Sequence, residues 1–291
     1  MRDQFIKTLS SAVETDPNII LITGDLGFGV LDDFKEQFPN NFINAGVAEQ
    51  NMTGIAAGMA LEGKIVFTYS IANFPTLRCL EQIRNDVCYH NLNVNIVSIG
   101  GGFSYGPLGI SHHATEDLAI MRSLPDITVI SPSGLWETIE ATKALIENPG
   151  AGFLRLDKSY GVDNLKSGGN EKFQIGKSRV VNDGDDCTIF VTGGILEEAQ
   201  LAAKKLKEIN ITTKIISMHT IKPLDHEALQ LWLPQVQGVV SVEEHTRIGG
   251  LGSALLELCS DEMPDQLIKI RRIGLPDRFA DQYGSQNSLL N

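Results

Sequence analysis

Cysteine is scarce in this chain, basic residues are outnumbered by acidic ones, and long apolar runs are missing. Four cysteines occur in 291 residues, Cys79, Cys88, Cys187 and Cys259. They show no CxxC or metal-ligand spacing and lie in apolar or helical-looking stretches, which argues against a disulfide framework or a zinc ribbon and for reduced core residues. Lys and Arg number 24 against 36 Asp and Glu, a formal charge of −12. Nucleic acids and anionic membranes call for clustered cations, so neither is expected as a partner; small molecules and other proteins are. Met1-Arg2-Asp3-Gln4 leads into an amphipathic stretch instead of a signal peptide, and no later segment is apolar for long enough to span a bilayer. A cytoplasmic location is the expectation. Long internal repeats and low-complexity tracts are also missing.

What is present is enough apolar residue, 42%, for two cores of ordinary size. Short β-branched runs alternate with helical periodicity, the pattern of βα units on a mostly parallel sheet, so the fold class is α/β. The first part predicts strands at 19–23, 42–44, 65–68, 94–99, 128–130 and 152–155, with helices near 4–14, 48–61, 75–89, 115–122 and 135–147. The second predicts strands at 187–192, 213–217, 238–243 and 267–271, with helices at 196–209, 225–231 and 251–260. Between them the chain turns polar and glycine-rich, as in Ser167-Gly168-Gly169-Asn170 and Asn182-Asp183-Gly184-Asp185-Asp186. The expected organisation is a first domain over 1–160, a linker over 161–186 and a smaller second domain over 187–291.

The most informative segment is Asn44-Ala45-Gly46-Val47-Ala48-Glu49-Gln50-Asn51-Met52, which follows a strand and opens a helix rich in small residues. By itself Glu49 reads as a first-turn glutamate interacting with the helix dipole, a common arrangement that needs no chemistry. The other segments that bear on it run in order along the chain: Ser70 to Arg84; His112 followed by Glu116-Asp117-Leu118 and Met121-Arg122-Ser123-Leu124-Pro125; Ser131-Pro132; Thr220-Ile221-Lys222-Pro223-Leu224-Asp225; Glu243-Glu244-His245; and Gly249-Gly250-Leu251-Gly252. Each is weak alone and the succession is specific. Over nearly its whole length the chain resembles the transketolase family, including deoxyxylulose-phosphate synthase, in its pyrimidine-binding and C-terminal domains.

That resemblance implies a thiamine diphosphate enzyme in which Glu49 hydrogen-bonds the ring nitrogen of the cofactor's aminopyrimidine. A buried carboxyl group can share a proton with a weakly basic nitrogen near neutral pH. It implies that His112, at the end of a glycine-rich loop, faces the substrate, with His113 beside it; adjacent histidines make a poor metal site because neighbouring side chains rarely converge on one ion. Arg155, at the end of a predicted strand, reads as a salt bridge at a sheet end or, on the resemblance, as a ligand for substrate phosphate, with Arg2 as a second contributor. Asp25, at a strand's carboxyl end, lines the mouth of the site or caps a turn. The aromatic residue that stacks on the pyrimidine in the family falls at Ile71, with Phe74 three residues on.

The family's diphosphate-binding element, Gly-Asp-Gly followed downstream by Asn-Asn, has no convincing counterpart. Gly24-Asp25-Leu26 and Asp183-Gly184-Asp185 both read as turns. The resemblance therefore implies that a separate N-terminal, diphosphate-binding subunit carries most of the Mg2+ and cofactor contacts, and that two copies of each chain form a heterotetramer with two sites. The implied activity is transfer of a two-carbon ketol unit from a ketose or its phosphate to an aldehyde. Gly100 and Leu108 stand where ordinary transketolases have a histidine and an acid that grip sugar hydroxyls, which predicts a roomier, less polar mouth and a larger or modified acceptor, such as a nucleotide-linked sugar. The competing readings are a beta subunit of a 2-oxo-acid dehydrogenase or acetoin-type enzyme, an acyl transfer to a modified sugar, and a catalytically silent scaffold. The second domain is expected to serve packing between subunits, and relatives carry a further helical segment after Tyr283-Gly284-Ser285.

Overall fold

The structure is a computed structural model that describes residues 1–158, 171–233, 238–266 and 268–290. In chain order it forms α1 (Arg2–Val13), β1 (Ile19–Thr23), α2 (Asp32–Gln37), β2 (Phe42–Asn44), α3 (Glu49–Leu61), β3 (Ile65–Ile71), α4 (Leu80–Gln82, continuing as a wider helical turn over Ile83–Cys88), β4 (Val94–Ile99), α5 (Asp117–Ser123), β5 (Ile127–Ile130), α6 (Leu135–Glu147) and β6 (Ala151–Leu156). The second part forms β7 (Arg179–Asn182), β8 (Cys187–Thr192), α7 (Leu196–Glu208), β9 (Thr213–Ser217), β10 (Thr220–Lys222), α8 (His226–Trp232), β11 (Val239–Thr246), α9 (Leu251–Glu262), β12 (Ile270–Leu275) and α10 (Gln286–Leu290).

The strands of the first part are near-continuous apolar runs because both faces of their sheet are covered. Every residue of β1, β4 and β6 is buried, as a parallel sheet between helical layers requires. The sheet order is β10-β5-β6-β4-β3-β1-β2, with Ile20 opposite Val66, Val66 opposite Val94 and Ile96 opposite Phe153. One face packs the buried stripe of α1, Phe5, Ile6, Leu9 and Val13, with Leu145 of α6. The other packs Met52, Ala56 and Ala57 of α3, together with Ile83 and Val87. The small residues of α3 let it lie close over the sheet, at the cost of a weak amphipathic pattern.

The second sheet runs β12-β11-β8-β9-β7, parallel except at β7. Two features depart from the sequence reading. Residues Arg179–Asn182 form the edge strand β7, so the segment expected to be a linker ends in the second sheet; its 167–170 tract lies outside the described residues. Strand β10, whose residues follow those of β9 after two positions, pairs antiparallel with β5 and so extends the first sheet, Thr220 lying opposite Ile130. The apolar core is continuous across this junction, where Leu118 and Met121 share a cluster with Phe190, Ile216, Met218 and Leu251. Among the described residues no helix is long and apolar enough to cross a membrane.

Candidate active site

Ligands of open α/β sheets gather at the carboxyl ends of the strands, where the order reverses. Here the order reverses around β1, whose neighbours β2 and β3 follow it on opposite sides. The loop after β1 carries Gly24 and Asp25, and the chain leaving β2 turns through Gly46, at φ 72°, into α3. Glu49 is the first residue of that helix and is 1% exposed. The glycine at position 24 allows the close approach: a Cβ there would sit 3.2 Å from Glu49 Cγ.

Arg78 reaches Glu49 from the loop after β3, its Nη1 2.5 Å from Oε2. The two residues, with Val47, Ala48, Gln50 and Asn51, line a small open cavity of about 310 Å3. The Arg78 guanidinium also lies over the Phe74 ring, 4.6 Å from its centroid, where the ring's negative face attracts the cation. Phe74 in turn meets the His112 ring edge-on at 5.1 Å, and its N–H donates to the carbonyl of Ile71, which ends β3, at 3.0 Å. Pairwise contacts thus run from Glu49 through Arg78 and Phe74 to His112 and to the end of β3 at Ile71. Arg78 is the member that sequence reasoning did not single out. The available signal is its position four residues after Phe74, one helical turn away, but a lone arginine carries no motif.

The two histidines separate. His112 is half-buried, donates to or accepts from Ser111 Oγ through Nδ1 at 3.0 Å, and its pKa is lowered, by burial first and by His113 second. A mostly neutral imidazole at pH 7 can act as acceptor and as donor. His113 is 4% exposed; its ring packs on Phe103 at 4.9 Å and its Nε2 lies 3.3 Å from the Gly106 carbonyl. The Asn73 side chain donates to its backbone carbonyl, tying the loop after β3 to the histidine loop. His112 is thus the more exposed of the two, whereas His113 is buried but borders a cavity of about 1310 Å3 that Asn73, Phe103 and the segment after β12 also line.

Asp25 sits in the turn after β1 with φ 58° and exchanges hydrogen bonds with Asn44, Oδ1 accepting from Nδ2 at 2.9 Å and its N–H donating to Oδ1 at 3.1 Å. It fastens the two loops that flank Glu49. Arg2 pairs with its neighbour Asp3 at 2.9 Å and lies within electrostatic range of Tyr69 and Tyr105.

Arg155 departs from the expectation of phosphate recognition. Its guanidinium is 1% exposed; Nε donates to Asp117 at 2.9 Å, Nη2 donates to the carbonyls of Ala114 at 3.1 Å and Glu244 at 2.9 Å, and Nη1 lies 3.7 Å from Asp157. With those partners it is a buried clamp between the two domains, its Nε and Nη2 already engaged and its Nη1 facing Asp157. The roomier mouth predicted from Gly100 is also corrected. Gly100 has φ 93°, and a Cβ there would run into the Tyr105 ring, so tyrosine fills that space. Cβ atoms at Gly101 and Gly102 would run into Asp157 and Arg155 and into Glu244, which explains the glycine run by close packing. Leu108 is 55% exposed. The second domain does more than pack against other subunits, since Glu243, Glu244 and His245 are all buried at this junction. Burial pushes both glutamates up to about 7, the nearby Arg155 only partly offsetting it.

A thiamine diphosphate molecule would find in this chain a buried carboxylate for its aminopyrimidine and apolar cover from Ile71 and Phe74. Among the described residues no group of three or more His, Cys, Asp or Glu could hold a metal ion. Residues 1–161 match the pyrimidine binding domain of transketolase and residues 176–290 its C-terminal domain. The chain is 34% identical over 277 residues to a subunit of the apulose-4-phosphate transketolase from Phocaeicola vulgatus, covering 95% of this chain and 87% of that one. It is 34% identical over 282 residues to the 6-deoxy-6-sulfo-D-fructose transketolase subunit SqwH of Clostridium sp., covering 97% and 86%. Among solved structures it superimposes on a split gene transketolase, described as an inactive beta4 tetramer, with a TM-score of 0.89 and 36% identity over 99% of this chain and 91% of that one. From the paired domains and the carboxylate at the head of α3, the conclusion is that this chain belongs to the transketolase family.

Proposed function

We propose that this chain is the C-terminal subunit of a split transketolase-like enzyme that moves a two-carbon ketol unit from a ketose, or its phosphate, to an aldehyde. A separate N-terminal subunit would hold most of the diphosphate and its Mg2+, in a cytoplasmic assembly of two plus two. The observation that carries the reading is Glu49, buried at the head of α3 and lining the cavity it shares with Arg78. Similarity to proteins that are themselves named as transketolase subunits supports the partner. Those names also support a sugar bearing phosphate or sulfonate as substrate.

Bound thiamine diphosphate supplies the carbon nucleophile and the electron sink for cleaving the bond beside a ketose carbonyl. Glu49 would hold a proton at the ring nitrogen of the aminopyrimidine, taking a hydrogen bond that Arg78 now occupies. Ile71 and Phe74 would keep water from the ring by apolar cover. His112, next to Phe74, would exchange a hydrogen bond or proton with a substrate oxygen. The protein's contribution is position and proton control.

The test is ketol transfer by this chain alone, its partner alone and the two together, with thiamine diphosphate and Mg2+. Activity only in the mixture is expected; turnover by this chain alone, or carbon dioxide release from pyruvate in place of ketol transfer, would overturn the proposal. In the assembly, Glu49→Gln is expected to lower kcat by at least about a hundredfold, the usual scale for removing a proton-transfer group, and unchanged kcat would favour a scaffold.

A further inference from the structure

The loop between β4 and α5 begins and ends on itself. Gly102 and Ala114 exchange backbone hydrogen bonds at 2.8 and 3.0 Å, closing residues 103–113 into a lobe that carries both histidines. A closed lobe with only single helical turns of regular structure takes its shape from what it packs against. Three of the glycines in and beside it report what that is. A Cβ at Gly106 would stand 2.5 Å from the Gly284 carbonyl oxygen and 2.7 Å from Leu289; one at Gly109 would stand 2.5 Å from the Tyr283 ring; one at Gly102 would run into the Glu244 carboxylate. The segment after β12, ending in α10, is laid directly over the lobe.

A polar chain fixes the two together. Glu244, 4% exposed at the end of β11, accepts the Phe103 N–H on Oε1 at 2.6 Å and the Gln286 side-chain amide on Oε2 at 2.7 Å. Phe103 supports the ring of His113, and His113 lies beside the Gly106 carbonyl under Gly284. Gln286 is thus two hydrogen bonds from the start of the lobe whose far end presents His112 to Phe74. Nothing in the chemistry assigned to the site uses Glu244 or Gln286.

We infer that Glu244 and Gln286 are positioning residues that set the histidine-bearing lobe, and that the segment 283–290 is a strap holding that lobe in its substrate-facing shape. The kinetic consequence rests on the function proposed above; the mechanical one does not. A single hydrogen bond of this kind carries about a tenfold effect.

Amide exchange followed by mass spectrometry, on this chain alone and in the two-chain assembly, reads the mechanical part. Gln286→Ala is expected to speed exchange in 103–114 about tenfold while α3 and the central strands keep their protection. In the assembly the same variant is expected to raise the KM for the ketose about tenfold, with kcat nearly unchanged and cofactor affinity unaltered. The exchanged pair Glu244→Gln with Gln286→Glu preserves both hydrogen bonds and should restore both readouts. Unchanged exchange in 103–114, loss of protection throughout the chain, or failure of the exchanged pair to rescue would each overturn the inference. If the wild-type assembly shows no ketol transfer, the proposed function falls and the exchange data still decide the strap.

Discussion

At the scale of single residues, the chain shows one side-chain type used in two opposite ways. Arg78 is partly exposed and paired to a carboxylate that a ligand would compete for, whereas Arg155 is enclosed by two carboxylates and two carbonyls. The first pairing is exchangeable; the second is structural. Removing one partner of a buried charge network leaves the others unpaired, at about 3–5 kcal/mol, so Arg155→Met is expected to destabilise the folded chain by that amount in urea titration. A role in phosphate recognition alone would leave the unfolding midpoint in place. What the sequence makes legible at this scale is limited in the same way. Glu49 is readable because a strand end, a glycine and a small-residue helix frame it, whereas Arg78 and Tyr105 owe their positions to contacts with distant segments. Gly100 looks like a missing side chain in sequence and is a seat for the Tyr105 ring in space.

At the scale of elements, β1 and β4 lie where apolar runs bounded by turn residues place them, since strands buried on both faces leave a plain signal. Strands β7 and β10 do not, because each is short, sits at a sheet edge and owes its conformation to the neighbour it pairs with. In β10 the apolar content comes down to Ile221, 1% exposed and within the core shared by both domains. Its truncation, Ile221→Ala, is expected to cost about 2–4 kcal/mol from lost burial and the cavity left behind. Because the side chain anchors the crossing strand, limited proteolysis between 219 and 226 should accelerate in parallel. A stability loss with no new cleavage there would mean that β10 stays in place without it.

At the scale of the whole molecule, the junction between domains is held by groups that titrate near neutrality. Glu243 and Glu244 rise from an ordinary 4.5 to about 7, chiefly through burial, with Arg155 and Asp157 facing Glu244 and Arg155 and Arg272 facing Glu243. An acid with a raised pKa in the folded state binds more protons there than in the unfolded chain, so its contribution to stability is lost as pH climbs. The buried His219 and His245, whose pKa values are lowered, act in the opposite sense, as acid that would charge them below about pH 6.5 works against folding. Between about pH 6.5 and 8 each glutamate should cost about 1 kcal/mol, against which the Met1 ammonium, its pKa lowered by burial, works in the opposite sense. Thermal unfolding is expected to shift downward across that interval, and Glu244→Gln should flatten the shift; a steeper slope in the variant would place the titrating group elsewhere.

The strand that leaves the second domain to pair with β5 has a further consequence. It covers an edge of the larger sheet, and uncovered edges are templates on which foreign strands assemble. A fragment cut at the seam between the domains would carry a row of unanswered N–H and C=O groups along β5, next to an apolar surface stripped of Phe190, Ile216 and Met218. The second domain thus also guards the first against strand addition, and a fragment ending before β10 is expected to aggregate where the whole chain does not.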